Sequence, residues 1–334
     1  MSTRNEMLKL LEQHRGEYVS GAEIASLLGV SGTAIWKAVR MLRRDGYEIK
    51  AVTNRGYMLS ADADVLSEEG IRSCLAGSAD DLRIEVFDSV GSTNTVCIDK
   101  AGAGESEGYI AVAATQSKGK GRRGRAFYSP GGSGIYLSIL LRPEGVSAKQ
   151  ALRFTTMAAV AVANSIEAVS GKEAGIKWVN DIYVNGRKVC GILTEGSFDI
   201  ETGNLDYAVV GIGVNVVAPE DGFPAEIAGI AGAVYDPDES KCSRNQLAAE
   251  IIRRFFELYR KSLTPEEESA AEPGYMKDYR RMCFVTGREI DVIKPRGVKL
   301  RAQALGLDSE CRLLVRYEDG STEMLDSGEI SIRV

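Results

Sequence analysis

The stretch at residues 115–130, TQSKGKGRRGRAFYSP, constrains this chain more than any other. Lys118, Lys120, Arg122, Arg123 and Arg125 crowd between Gly119, Gly121 and Gly124 with no acid among them, in a chain of formal net charge -6. An apolar, β-leaning run at 109–114 precedes it and another at 134–141 follows. The pattern therefore predicts a loop joining two strands. Glycine lets a backbone approach an anion closely, and arginine binds phosphate or carboxylate through paired N–H groups. A solvated basic loop or a nucleic-acid patch would have the same composition. The spacing fits neither a Walker A loop nor a dinucleotide fingerprint, because no helix opens directly after it.

With 334 residues the chain can hold two or three domains. The N-terminus has no signal-peptide pattern, and no apolar run approaches the ~18 residues of a membrane span. Cys74, Cys97, Cys190, Cys242, Cys283 and Cys311 are scattered with no C-x-x-C pair, as expected of reduced thiols in a cytoplasmic protein. The one histidine, His14, lies near the end of the first predicted helix, far in sequence from the basic loop. That argues against a Ser-His-Asp triad, a Cys-His pair or a histidine zinc site.

Residues 2–14 predict an amphipathic helix with Met7, Leu8, Leu10 and Leu11 inward. Ser20 should cap a second helix, Gly21–Leu28, and Ser31 a third running to about Arg44. Counted from Gly21, Ala25, Gly29 and Ile35 fall at positions five, nine and fifteen of a helix-turn-helix. Those positions need a small residue, a left-handed turn and a core anchor. The third helix would bury Ile35, Val39 and Leu42 and turn Thr33, Trp36, Lys37, Arg40 and Arg43 outward. A hairpin at 46–59, with Asn54-Arg55-Gly56 at its tip, reads as a wing. Residues 1–60 carry nine Lys/Arg against six Asp/Glu, a positive module on an acidic chain. DNA binding is expected, through Ser31, Thr33, Trp36, Lys37 and Arg40. The alternative is a winged helix used only for protein contacts.

A linker with a helix at 67–75 leads to an α/β region. A strand at 83–88 ends in a polar turn where Ser92 or Thr93 should cap the next helix. An apolar helix is expected at 150–170, a strand, polar turn and strand across 176–184, further strands at 188–195 and 207–217, and helices at 246–261 and 275–281. From Phe284 onward, short alternating strands suggest a small β-barrel. The expected domains are 1–62, 63–282 and 283–334.

Four polar sites fall at strand ends or loops of the α/β region. They are Ser92-Thr93-Asn94, Gln116 with the basic loop, Lys177-Trp178-Val179-Asn180-Asp181 with Lys188, and Gly211-Ile212-Gly213-Val214-Asn215. Taken singly they read as a helix cap, a basic loop, a turn with a solvated lysine, and a strand bulge. Together they offer phosphate-binding cations, amides and one carboxylate, with no histidine. That set suits activation of a carboxylic acid by ATP. The substrate carboxylate is already an anion, so catalysis reduces to positioning and charge neutralisation.

The basic loop, the Lys-Trp-x-Asn-Asp block, the Arg187-Lys188-x-x-Gly191-Ile192-Leu193 strand and the Gly-Ile-Gly-x-Asn-Val block resemble the bifunctional biotin protein ligases that are also biotin operon repressors. The resemblance runs nearly end to end. It implies a multidomain α+β chain with an N-terminal winged helix-turn-helix and a C-terminal SH3-like β-barrel. Between them it places an α/β ligase domain related to class II synthetases and lipoate ligases. It implies synthesis of biotinyl-5′-AMP from biotin and MgATP. Biotin then passes to one lysine of a biotin carboxyl carrier protein, of acetyl-CoA carboxylase or a related carboxylase. It also implies a ligand-promoted homodimer on operator DNA, with the adenylate as corepressor and no membrane partner.

By matching position, Arg122, Lys188 and Asp181 would be catalytic. Ser92, Thr93, Asn94, Gln116, Gly119, Lys120, Arg122 and Lys188 would bind biotin. Arg122, Arg125, Phe127, Asn180, Asp181, Lys188 and Asn215 would bind ATP, with Mg²⁺ on its phosphates and Asp181 a candidate ligand. Three departures stand out: Lys120 replaces an arginine, Phe127 a tryptophan and Val179 a proline. A lipoate ligase, or a transcription factor whose ligase-like domain only senses a ligand, are the rival readings. Pairing is expected through the ligase domain, at a sheet edge such as 188–195.

Overall fold

The computed structural model describes every residue except 1, 62, 76–80, 237–238, 240–241, 269, 295–296, 327–328 and 333–334. The chain divides into two compact units, residues 1–81 with 241–253, and residues 82–240 with 254–334.

In the first unit α1 (Thr3–Gln13) buries Met7, Leu8, Leu10 and Leu11. Ser20 caps α2 (Gly21–Leu28) by accepting from Glu23 N, and Gly29 ends it at φ 63 in the left-handed region. Ser31 caps α3 (Gly32–Arg44), whose inner face is Ile35, Ala38, Val39 and Leu42. Strands β1 (Ile49–Val52) and β2 (Gly56–Leu59) pair antiparallel as the wing, with Asn54 at φ 66 in its turn. The expected linker helix is α4 (Glu68–Leu75), and Ile71 and Leu75 are buried within this unit. The returning segment is tied to the same unit. Arg244 Nε pairs with Asp64 Oδ2 at 3.0 Å, and Asn245 Oδ1 accepts from Ser67 N at 3.0 Å.

The second unit holds β3 (Arg83–Phe87), α5 (Thr93–Gly102), β4 (Tyr109–Ala113), β5 (Gly134–Leu141), α6 (Leu152–Ser170), β6 (Gly175–Lys177), β7 (Asp181–Val184), β8 (Arg187–Phe198) and β9 (Leu205–Asn215). After α7 (Ala225–Ala228) comes α8 (Arg244–Ser262), whose first half belongs to the first unit. The strands form a seven-stranded sheet in the order β3-β4-β5-β9-β8-β7-β6. Only β3 and β4 run parallel; every other neighbouring pair is antiparallel. Every residue of β4 and β5 is buried, which matches their continuous apolar runs. Twelve residues of α6, from Phe154 to Ile166, are buried.

Strand β8 is not the simple sheet edge expected at 188–195. Residues 187–191 pair with β7, and residues 190–198 pair with β9. Residues 193–198 pair with β9 alone, while 187–189 have no partner in β9 and Lys188 bridges to Ala231 instead.

The chain ends with α9 (Pro265–Glu268), α10 (Met276–Met282), β10 (Glu289–Ile293), β11 (Lys299–Leu307), β12 (Leu313–Tyr317), β13 (Thr322–Leu325) and β14 (Glu329–Ile332). The last five strands form an antiparallel sheet in the order β13-β12-β11-β10-β14. No pairing among the described residues joins β13 to β14, so closure into the expected barrel does not follow from it. No helix among the described residues is long and apolar enough to cross a membrane.

Candidate active site

A cleft of about 390 Å³ opens in the second unit between the basic loop, the start of α5, the β6–β7 turn and the faces of β8 and β9. It collects Ser92, Thr93, Asn94, Gln116, Lys120, Arg122, Arg125, Phe127, Asn180, Asp181, Lys188 and Asn215 on one wall system. These residues span 124 positions of sequence, from 92 to 215. Gly119 is the one expected ligase-site residue that does not line it. A Cβ there would sit 2.3 Å from Phe127 O, so only hydrogen fits.

At the start of α5 the expected cap is not the one that forms. Ser92 holds the N-cap position, but its side chain makes no capping bond. Gln116 reaches in from 23 residues away instead: its Oε1 accepts from Thr93 N at 2.8 Å and from Thr93 Oγ1 at 3.1 Å. Gln116 Nε2 donates to Ser129 Oγ at 3.0 Å, and Ser129 Oγ donates to Phe127 O at 2.9 Å. Two residues not anticipated complete the network. Ser138 Oγ, fully buried in β5, lies 2.7 Å from Thr93 Oγ1 and 2.6 Å from Asn94 Oδ1. Glu195 Oε2 accepts from Asn94 Nδ2 at 2.7 Å.

The basic loop is folded back on itself. Gly121 N donates to Arg125 O at 2.7 Å and Phe127 N to Gly119 O at 2.9 Å. Arg123 takes φ 57 and Gly124 φ 74 to make the reversal. Lys120 Nζ faces Glu195 Oε1 at 3.5 Å, and Arg122 Nη1 donates to Asn180 Oδ1 at 2.8 Å. The Phe127 ring packs onto the backbone of β9. A Cβ at Gly213 would come 2.5 Å from a ring carbon, and one at Gly191 3.1 Å. Glycine is thus required in β9 by the approach of the ring.

On the opposite wall, Asn180 Nδ2 donates to Asp181 Oδ1 at 3.1 Å and to Ile192 O at 2.9 Å. Asp181 Oδ1 pairs with Lys188 Nζ at 2.6 Å. Arg122, Asn180, Asp181 and Lys188 therefore form one continuous chain of donors and acceptors. The segment before Asn180 is held without a proline: Trp178 Nε1 donates to Cys311 O at 2.8 Å, and Tyr279 OH to Val179 O at 3.1 Å. Asn215 Nδ2 donates to Gly232 O at 3.0 Å. Phe223, Ile227 and Ile230 add an apolar wall, and Ile293, Lys299 and Ile330 come from the C-terminal sheet.

Burial and the neighbouring Asp181 charge push the Tyr183 hydroxyl up to about 12, so it stays protonated. Burial also pushes the Cys190 thiol well up, which removes it as a nucleophile. His14 does not line the cleft; it lies 3.7 Å from Glu17 in the first unit. Asp181 is the one carboxylate among the lining residues, and no three of His, Cys, Asp and Glu converge among the described residues. The donor set therefore fits a metal ion only as a companion of a phosphate-bearing ligand.

In the first unit, the Ser31 hydroxyl is committed to capping α3, accepting from Ala34 N at 3.3 Å. Thr33, Trp36, Lys37 and Arg40 are exposed on that helix. The Arg40 guanidinium lies over the Trp36 ring, 4.8 Å from its centroid, which holds the cation in place on the exposed face.

Residues 86–215 match the biotin/lipoate A/B protein ligase family, residues 3–58 an HTH domain, and residues 285–333 the biotin protein ligase C terminal domain. The bifunctional ligase/repressor BirA of Bacillus spizizenii is 36% identical over 261 residues, which cover 78% of this chain and 79% of that protein. The bifunctional ligase/repressor BirA of Escherichia coli is 29% identical over 326 residues, 95% of this chain and 94% of that protein. Among solved structures, the biotin protein ligase of Aquifex aeolicus in complex with biotin and ATP superimposes with a TM-score of 0.61 at 26% identity, covering 75% of this chain and 98% of that one.

Proposed function

We propose a mechanism on the premise that this chain belongs to the biotin protein ligase family, in its bifunctional ligase/repressor branch. The protein is an ATP-dependent biotin ligase and a biotin-responsive repressor. In the first half-reaction a biotin carboxylate oxygen attacks the α-phosphorus of ATP, and pyrophosphate leaves. In the second, a carrier-protein lysine amine attacks the acyl carbon of biotinyl-5′-AMP, and AMP leaves. The observation that carries the site assignment is the Arg122–Asn180–Asp181–Lys188 chain standing across one cleft from the Thr93–Gln116 pair.

Thr93, Gln116, Asn94 and Ser92 present hydroxyl and amide groups that suit the ureido ring, which both donates and accepts. Lys120 and Arg122 meet the carboxylate and the α-phosphate. Arg125 and Lys188 neutralise phosphate charge. Phe127 offers its ring to the adenine and Asn215 its amide to the nucleotide. Asp181, the one carboxylate lining the cleft, would help hold a Mg²⁺ carried by the ATP phosphates, which would neutralise their charge. With no imidazole in the cleft, transfer depends on the acceptor amine reaching its neutral form. Asp181 is placed to take the proton, and the scattered, reduced cysteines fit a cytoplasmic setting.

Incubation with ATP and either biotin or lipoate tests the ligase half. Biotinyl-5′-AMP and pyrophosphate are expected from biotin, and lipoyl-AMP alone would overturn the substrate assignment. The repressor half requires two copies on a two-fold operator, since one helix-turn-helix reads only a short half-site. If the adenylate is the corepressor, dimerisation and adenylate binding strengthen each other by the same factor. Lys37→Ala and Arg40→Ala should each weaken operator binding, Arg40→Ala by ~1–3 kcal/mol if it reads a base, with adenylation unchanged. Operator titration at fixed salt, with sedimentation in the presence and absence of biotin and ATP, is the measurement. An unaltered monomer–dimer equilibrium would remove the corepressor role.

A further inference from the structure

We propose that Glu195 is a positioning residue that holds Lys120 of the basic loop before substrate binds and yields it to the carboxylate of biotin. The inference rests on the ligase reading, in which Lys120 meets that carboxylate. Glu195 divides its two oxygens between separate tasks. Oε2 accepts from Asn94 Nδ2 at 2.7 Å, and Oε1 faces Lys120 Nζ at 3.5 Å.

The Asn94 amide cannot turn over to release this arrangement. Its Oδ1 lies 2.6 Å from Ser138 Oγ, and its Nδ2 faces two acceptors, Glu195 Oε2 and Leu193 O. Behind it there is no room, because a Cβ on Gly211 would lie 2.0 Å from Asn94 Oδ1. Glu195 is thereby anchored to the start of α5 by one oxygen and offers the other to the loop.

The offered contact is weak by construction. The Lys120 and Glu195 side chains are 41% and 31% exposed, and 3.5 Å is the length of a loose ion pair. Such pairs are screened by solvent and contribute little to stability. A substrate carboxylate brings the same charge and geometry as Glu195 Oε1, so it replaces one carboxylate with another on Lys120. Glu195 stays where Asn94 holds it, and its negative charge then opposes the anion that displaced it. A ligand with the biotin ring system but no charge meets neither the competition nor the repulsion. Glu195 thus lowers the affinity for the substrate anion selectively, and in return keeps the loop cation beside the cleft.

Glu195→Gln separates this role from a structural one, because the glutamine oxygen can still accept from Asn94. Titration calorimetry on the full chain, with biotin and with uncharged biotinamide, is the experiment. In the variant, biotin should bind about three- to tenfold more tightly, the size expected for removing one partly screened like charge a few ångströms away, while biotinamide binds as to the parent. Equal shifts for both ligands, no change for biotin, or weaker biotin binding would overturn the proposal. A lowered melting temperature with both ligands weakened would mark a purely structural residue and overturn it equally. A parent that makes no adenylate from biotin and ATP fails the ligase reading itself, an outcome distinct from an active parent in which Glu195→Gln changes nothing.

Discussion

Replacing Lys188 by alanine is expected to slow formation of biotinyl-5′-AMP by about 10²–10³-fold, the usual cost of removing one preorganised stabiliser of developing charge. Two effects add in the same direction. The cation that neutralises phosphate charge is lost. The Asp181 carboxylate, paired with Lys188 Nζ at 2.6 Å in the parent, is left to repel the incoming phosphates. Both side chains are mostly withdrawn from water, at 29% and 20% exposure, so the repulsion is only partly screened. The test is pyrophosphate release in a single turnover at saturating biotin and ATP. A rate equal to the parent's would exclude Lys188 from the reaction.

Arg122→Ala is expected to weaken retention of the adenylate by ~1.5–3 kcal/mol, the worth of charged hydrogen bonds. That corresponds to an off-rate about ten- to a hundredfold faster. Arg122 sits just before the loop reversal at Arg123 and Gly124 and donates to Asn180 Oδ1 at 2.8 Å, so its guanidinium spans from the loop to the opposite wall. Losing it removes a ligand contact and also frees the Asn180 side chain that bonds Asp181. Release of labelled adenylate into excess unlabelled ligand reads the effect. Equal off-rates in variant and parent would reject it.

What could be read from sequence follows the range over which each signal acts. Ser20, Gly29 and Ser31 announced the ends of two helices because caps and left-handed turns are decided within four residues. The cap on α5 was misread for the converse reason. Gln116 lies 23 residues beyond Thr93, and nothing near Ser92 announces that its hydroxyl will be passed over. The position of β8 was misjudged because strand order is set by long-range pairing with β9, to which the local pattern is blind. Ser138 did leave a trace, as a serine in the middle of a strand whose every residue is buried. Glu195 left none: in sequence it is one ordinary charge on a strand. The wall made by Phe223, Ile227 and Ile230 comes from a helix of four residues and the segments beside it, too short to carry a periodic signal.

The half-covered strand has a consequence for handling and for the cell. From residue 193 to 198, β8 carries a ladder on one side only, and Phe198 at its end is 54% exposed. Ile200, just past the strand, is 91% exposed. An unpaired strand edge bordered by apolar side chains is a template for mispaired, aggregated chains. Within that edge Glu195 is the one charged residue, the kind of gatekeeper that discourages indiscriminate pairing. Solubility at high concentration and a clean yield on refolding therefore hang on six residues of one strand, of which Leu193 also lines the cleft.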